Sequence, residues 1–441
     1  MLHTFPKGGI HPPENKFAAT QSIETLTVPD VVYIPISQHL GVPANPIVKK
    51  GDVVKIGTPI AEAAGFVSTF IHSSVAGTVD KIDKMTCASG FPQDVIVIKT
   101  SEDVWEDTID TSDTFVKEIT VSPDEIRARV LQAGIVGMGG ATFPSHVKFQ
   151  VPDGKKAEVL IINGVECEPY LTADHRLMLE KANEICVGIE IIKTAISVSE
   201  AYIGIENNKP DAIELFRSII KNYQGITVVP LQVKYPQGGE KQLIKAVTGK
   251  EVPAGGLPID VGAIVNNVGT VFSVYEAVQK NKPLYERIVT VTGKHVAEHK
   301  NFLVRIGTPV QHLIDAAGGL PEDTEKVISG GPMMGKAITS LQSPVTKGTS
   351  GILLMPSLES QRNEMMDCIR CGKCVSVCCV GLEPYVVMTY AEKTMVDELQ
   401  EYQVMQCVEC GSCSYICPAN RPLLDFIRLG KQIVRKQAQK K

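Results

Sequence analysis

Eight of the chain's twelve cysteines fall into two runs of one spacing, and no other feature constrains the fold so tightly. Cys368, Cys371, Cys374 and Cys378 read C-x2-C-x2-C-x3-C. Cys407, Cys410, Cys413 and Cys417 repeat the pattern, followed by Pro418. Thiols two residues apart can wrap a common centre only where the backbone turns tightly, and Gly372 and Gly411 allow that turn. The opening MLHTFPKGGIHPPENK lacks the apolar core of a secretion signal. Clustered cysteines without such a signal point to metal ligation, not disulfides. Zinc knuckles are the competing reading, but zinc sites use two close pairs and not two quartets. Cys379, which stands where the second run has Pro418, is read as a non-ligand. The scattered Cys87, Cys167 and Cys186 are read as buried small hydrophobes.

The spacing is similar to that of the bacterial two-cluster ferredoxins, in which the fourth cysteine of each run ligates the other cluster. That resemblance implies two [4Fe–4S] clusters. Cys368, Cys371, Cys374 and Cys417 would hold one, and Cys407, Cys410, Cys413 and Cys378 the other. Such clusters move one electron at a time, so another part of the chain must feed or drain them.

With 441 residues there is room for several domains, each with its own core. A net charge of −5 gives no reason to invoke nucleic acid. No run approaches the roughly 18 apolar residues of a membrane span. The chain is therefore expected not to span a membrane itself.

Residues 30–100 read as short β-rich runs broken by Gly-Asp, Gly-Thr-Pro and Ala-Gly-Thr turns. They resemble the barrel-sandwich hybrid of biotinyl and lipoyl carriers. The matching hairpin, EAAGFVSTF, has no lysine to carry a cofactor, which implies a structural role. From 122 to 280 strands and helices alternate with short connections, the pattern of an α/β layer on a mostly parallel sheet. Its predicted helices include a long one over 174–199. Residues 285–355 suggest a small β-grasp, SLBB-type module, whose ISGGPMMG is either an anion-binding turn or a packing element. A helical connector around SLESQRNEMMD then leads to the cysteines. The basic amphipathic end, RPLLDFIRLGKQIVRKQAQKK, either packs on the cluster domain or docks to anionic lipid or a membrane subunit. The expected domains are 1–110, 120–283, 284–355 and an α-helical, ferredoxin-like 356–441.

GIVGMGGATFPSHVK, residues 134–148, has the glycine density of a phosphate loop. It is not the usual dinucleotide fingerprint, because Thr142 replaces the third glycine and a helix precedes it. That helix opens with Ser122-Pro123-Asp124-Glu125, a capping-box signature. NGVECEPY, PQGGEK and NNVGT each fall where a strand ends, the place for ligands in such sheets. GMGGATFPSHVK resembles the GxGGAGFPxxxK loop of the flavin subunit of respiratory complex I, and NGVECEP its NGDESEP. YPQGGE resembles its YxxGEE and NNVGT its NNVET, all in the same order.

This resemblance implies a Rossmann-like domain binding non-covalent FMN and NADH. Gly137, Gly139, Gly140, Lys148, Asn163, Glu166, Tyr235, Gly238, Asn266, Asn267 and Thr270 would line the flavin. Phe143 would stack on the dinucleotide, and Glu168 and Glu240 would bind NADH. Val165, Gly239 and Thr142 depart from the family pattern, and the first two remove carboxylates. NADH gives up two electrons as hydride and a cubane takes one, so a flavin must sit between them.

The flavin subunit of complex I holds a single cluster. FPKGGIHPPENK, the carrier-like domain, the flavin segment, the β-grasp module and both cysteine runs together resemble the RnfC family instead. Members of that family are the soluble part of membrane complexes coupling ferredoxin:NAD+ electron transfer to Na+ or H+ pumping. The resemblance implies a peripheral protein on the cytoplasmic side of a bacterial membrane, with other Rnf subunits as partners. Two alternatives stand beside it. A cobalamin reductase of microcompartments shares the flavin and two-cluster parts, and a cluster relay would lack an NADH site.

Overall fold

The computed structural model describes residues 2–440. Its centre is a four-stranded, fully parallel sheet in the order Ile226–Leu231, Glu200–Glu206, Val159–Gly164, Ala263–Asn267. Side chains of a strand alternate between faces, and both faces are covered here. Leu160 and Ile162 enter the core beneath helices Pro123–Gln132, Ala182–Ile196, Pro210–Ile219 and Val268–Gln279. Val159 and Ile161 face Leu243 and Ile244 of helix Glu240–Thr248. Burial on both sides explains why these strands read as unbroken apolar runs.

The capping box forms as expected. Glu125 N–H donates to Ser122 Oγ at 3.4 Å, and Ser122 N–H donates to the Glu125 carboxylate at 2.8 Å. The long helix predicted over 174–199 is two helices, Ala173–Glu180 and Ala182–Ile196, broken at Lys181 (φ −131°). The apolar periodicity continues across the break, which is why the sequence did not reveal it.

A four-stranded and a three-stranded antiparallel sheet enclose Val32, Ile34, Ile60, Ile71, Val79, Ile96 and Ile98. This sandwich begins at strand Val31–Pro35. The residues before it run elsewhere. His3 pairs with Leu231 at the edge of the parallel sheet, and Ile10 pairs with Tyr235. Ile23–Thr25 then adds an edge strand, parallel to Lys300–Arg305, to the third sheet. That mixed six-stranded sheet carries helix Val310–Ala316 on one face, over Val289, Val291, Phe302 and Ile352.

The cysteine-bearing end is helical. Pro384–Glu392, Val396–Glu401 and Leu423–Lys440 surround Val387, Met388, Leu399, Val404, Leu423 and Ile427. The C-terminal helix thus packs on its own domain. The connector predicted as helical is helix only over Ser357–Ser360, and residues 361–373 are exposed. None of the described helices is long and apolar enough to cross a membrane.

Candidate flavin and iron–sulfur sites

The glycine loop closes on itself. Gly137 N–H donates to the Phe143 carbonyl at 2.8 Å, and Val136 bridges Pro144. Thr270, fully buried, accepts from Met138 N–H at 2.8 Å and donates to the Val136 carbonyl at 3.2 Å. The loop is thereby pinned to the first turn of helix Val268–Gln279. Gly139 takes φ +72°, and a Cβ there would lie 3.0 Å from the Asn267 amide, while Gly140 faces open space. Thr142 adopts the left-handed region at φ +54°, at a cost of about 1–2 kcal/mol.

Around this cradle the sheet presents its carboxyl edge. Asn267 caps the helix, accepting from Gly269 N–H at 2.8 Å and donating to Asp174 at 2.6 Å. Asn266 is 3% exposed, and neither of its amide atoms has a partner. Lys148 reaches the Glu240 carboxylate at 3.0 Å and the Val265 carbonyl at 3.2 Å. Asn163 donates to the Gly238 carbonyl at 2.9 Å and accepts from Val165 N–H at 3.2 Å. The strand-end segments named from sequence therefore converge on one edge. Open glycine backbone and an orphaned buried amide suit a ligand with ring oxygens and a phosphate.

Glu166, Glu168 and Tyr235 are engaged away from the cradle. Glu166, at φ +47°, accepts from Asp174 N–H at 2.8 Å and His175 N–H at 3.2 Å, so its carboxylate caps helix Ala173–Glu180. Glu168 accepts from Met333 N–H at 3.1 Å and Met334 N–H at 2.7 Å. The ISGGPMMG turn is occupied by the chain's own Glu168 carboxyl and so serves as a packing element. A Cβ on Gly331 would sit 2.3 Å from the Glu168 carboxylate, so glycine is required for this approach. Tyr235 is 2% exposed and donates to the Cys410 carbonyl at 2.8 Å, joining the flavin edge to the second cysteine run.

Burial pushes the Glu168 carboxyl up to about 7, against the two N–H bonds that lower it. The folded state then holds this proton more tightly than the unfolded chain does. The stabilisation is complete below about pH 4.5 and is lost as pH rises through about 7. It amounts to on the order of 3 kcal/mol. Glu168→Gln is expected to flatten that part of the pH dependence, read as the difference in denaturant midpoint between pH 5 and pH 8.

Two further lysines shape the site, Lys16 at the end of FPKGGIHPPENK and Lys347, which no motif marks. Lys16 donates to the carbonyls of Glu166 (2.8 Å), Glu168 (2.9 Å) and Leu171 (2.6 Å), fastening the loop that follows Val159–Gly164. Lys347 donates to the carbonyls of Phe70 and Gly134, both at 2.7 Å. It staples the carrier-like hairpin to the start of the glycine loop. Burial lowers its ammonium to about 7. The hairpin that carries no lysine thus has a packing role beside the loop, where Thr69 also donates to the Leu131 carbonyl at 3.0 Å.

The two cysteine runs share one backbone. Arg370 (φ +55°) and Gly372 (φ +74°) match Glu409 (φ +58°) and Gly411 (φ +80°), and each run ends in a single helical turn. Burial pushes the Cys413 thiol up to about 12, and Cys407, Cys410 and Cys378 lie close enough to add to the shift. Burial likewise pushes Cys407 up to about 11, with Cys410 and Cys378 contributing. Cys374 is raised by burial, and Cys417 lies near enough to add to the shift. Thiols of one run therefore meet the fourth cysteine of the other. Cys368 and Cys371 are exposed at the surface. Cys379 lies against Cys410, whose hydrogen bond raises its thiol.

Comparison with known proteins agrees with this layout. Residues 130–276 match the Nuo51 FMN-binding domain, residues 3–103 the RnfC barrel sandwich hybrid domain, and residues 288–337 the SLBB domain. A component of the proton-translocating ferredoxin:NAD(+) oxidoreductase complex of Clostridium ljungdahlii is 46% identical over 431 residues, 97% of this chain and 93% of that one. A component of the Na(+)-translocating ferredoxin:NAD(+) oxidoreductase complex of Acetobacterium woodii is 44% identical, over 100% of this chain and 99% of its own length. This chain belongs to the RnfC family. Another relative, from the ion-translocating oxidoreductase complex of Rhodobacter capsulatus, is 43% identical over 86% of this chain and 73% of that one. Among solved structures, an NAD+-reducing [NiFe]-hydrogenase in the air-oxidized state aligns with TM-score 0.51 and 18% identity. The alignment covers 72% of this chain and 63% of that one, a likeness of fold. The family brings an FMN-binding domain to the edge described above, and the cysteine-rich end suits iron–sulfur ligation.

Proposed function

We propose that this chain exchanges hydride between NAD(H) and FMN, and single electrons between FMN and two [4Fe–4S] clusters. It would do so as the peripheral, cytoplasmic-side subunit of an ion-pumping ferredoxin:NAD+ oxidoreductase, bound to the other subunits of that complex. The observation that carries the reading is the contact between the two sites. Tyr235, from the flavin edge, holds the carbonyl of Cys410 at 2.8 Å. Glu168, four residues beyond Gly164, holds a turn whose Met333 carbonyl would lie 3.2 Å from a Cβ on Gly411. An electron leaving that edge thus has a short packed route to the second cysteine loop.

Bound FMN supplies a ring that accepts hydride and passes electrons on singly. The chain's residues bind and orient it. Gly139, Gly140 and the first turn of the helix capped by Asn267 offer N–H groups and space to phosphate, Lys148 offers its cation, and Asn266 its free amide. Gly137, Asn163, Gly238 and Thr270 set the backbone that does this, while Glu166 and Tyr235 act through the loops they hold. Phe143 would be left for NADH, with Glu240 reaching it only by parting from Lys148, 3.0 Å away. Glu168, already engaged, would act by fixing the 166–171 loop. The crossed cysteine sets, Cys368, Cys371, Cys374 and Cys417 with Cys407, Cys410, Cys413 and Cys378, would hold the clusters in a ferredoxin-like domain.

A second reading has an observation behind it. With Glu168 engaged and Gly239 lacking a carboxylate, a cluster relay without NADH chemistry is the competitor. Anaerobic titration of the FMN-loaded, cluster-reconstituted protein with NADH separates the two. Flavin bleaching, followed by cluster bleaching, is the expected result. A flavin that stays oxidised would establish the relay.

A further inference from the structure

The two cysteine loops repeat one backbone and differ in the charges that surround it. Arg370 and Glu409 occupy the same left-handed position within their runs. Arg370 and Lys373 are exposed with the rest of 361–373. Glu409 is held against the C-terminal helix, half-buried, with Arg428 Nε 2.9 Å and Lys431 Nζ 2.5 Å from its two carboxylate oxygens. Lys431 also donates to the Cys407 carbonyl at 2.9 Å, and its side chain is 9% exposed. The inward face of this helix is otherwise apolar, with Leu423, Ile427 and Val434 in the core. Burying an ammonium there carries a desolvation penalty of several kcal/mol, so its placement calls for a reason. What it touches is the ligand loop.

We propose that Lys431 raises the reduction potential of the centre held by Cys407, Cys410, Cys413 and Cys378, and that Glu409 opposes it. This rests on the two-cluster reading above. Reduction adds one electron, which makes the site more negative by one unit. A fixed ammonium beside the loop stabilises the reduced form, and a fixed carboxylate destabilises it. The loops share their φ pattern, while Glu409 N–H donates to Cys407 Sγ at 3.3 Å and Leu382 N–H to Cys378 Sγ at 3.2 Å. These neutral backbone bonds also bear on the potential, but side-chain substitution at Lys431 and Glu409 leaves them in place. At the first loop, water screens Arg370 and Lys373, so their charges count for little. The C-terminal helix thereby makes two centres of one design unequal, and the centre nearer the flavin edge becomes the better acceptor.

The test is a potentiometric titration of the reconstituted protein, with both centres followed by electron paramagnetic resonance. In Lys431→Gln one midpoint should fall, so that the reduced-to-oxidised ratio at the wild-type midpoint drops about tenfold, roughly 59 mV for one electron. In Glu409→Gln the same midpoint should rise. The double variant should lie between Lys431→Gln and wild type, because the more deeply buried Lys431 outweighs Glu409, and Lys431→Arg should keep the wild-type value. The other midpoint should stay put throughout. Loosened packing would instead move Lys431→Gln and Glu409→Gln in one direction, or move both midpoints together, and either outcome overturns the proposal. A wild-type protein showing a single centre overturns the two-cluster reading, and the proposal with it.

Discussion

Cys413→Ala is expected to remove one iron–sulfur centre and leave the other, halving bound iron and sulfide and deleting one of two resonance signals. Cys413 is buried among the thiols of Cys407, Cys410 and Cys378, so three ligands from two separate runs would be left around an open position. The same signal should vanish when the first run's contribution is removed. Cys379 lies against Cys410, so that experiment needs Cys378→Ala and Cys379→Ala together. Cys374→Ala and Cys417→Ala should both delete the other signal, because those two thiols lie near each other. If the Cys378/Cys379 and Cys413 variants delete different signals, the crossed ligand sets are wrong and each run serves its own centre. Metal binding that joins two runs is also folding free energy. Each of these variants should therefore melt below the parent, and the parent should lose more still when both clusters are removed.

The second large effect concerns Asn266, and it has two signs. Its amide is buried and unpartnered at the end of strand Ala263–Asn267. An unsatisfied buried polar group costs about 1–3 kcal/mol. Asn266→Leu should therefore stabilise the flavin-free protein, or at worst leave it unchanged. FMN affinity should fall about tenfold to a hundredfold, the equivalent of one or two lost hydrogen bonds to the ligand. Fluorescence titration with FMN and a denaturant melt of the flavin-free protein read the two effects separately. A variant that binds FMN as tightly as wild type would remove Asn266 from the site. A variant that weakens binding only in proportion to lost stability would make its role structural.

Much of this was legible in the chain because local chemistry carried it. The capping box at Ser122 and Glu125 needs only residues three apart. The strand-end motifs needed only alternation and punctuation to place them at one edge of a parallel sheet. The cysteine spacing dictated left-handed turns at Gly372 and Gly411 and, with them, the repeat of a single loop. Each of these is a short-range constraint, and short-range constraints survive without knowledge of the partner surface.

The missed features are all long-range. The first half of the predicted helix is fastened to Glu166, and the apolar stripe runs on unbroken across Lys181, so no local pattern marks the break. Residues 2–26 lie along the flavin domain and join another sheet, a path that pairs residues more than 200 positions apart, such as His3 with Leu231. Glu168 looked free to bind a dinucleotide, since nothing local shows that it meets the backbone of Met333 and Met334. Lys16, Lys347 and Lys431 look like solvated charges until the fold buries them against carbonyls. The sequence by itself determined the chemistry on offer: two sets of thiols, a glycine cradle and amides at strand ends. Tertiary structure alone decided which carboxylates and ammonium groups are already spent on other parts of the chain, because that depends on contacts between segments that sequence order does not relate.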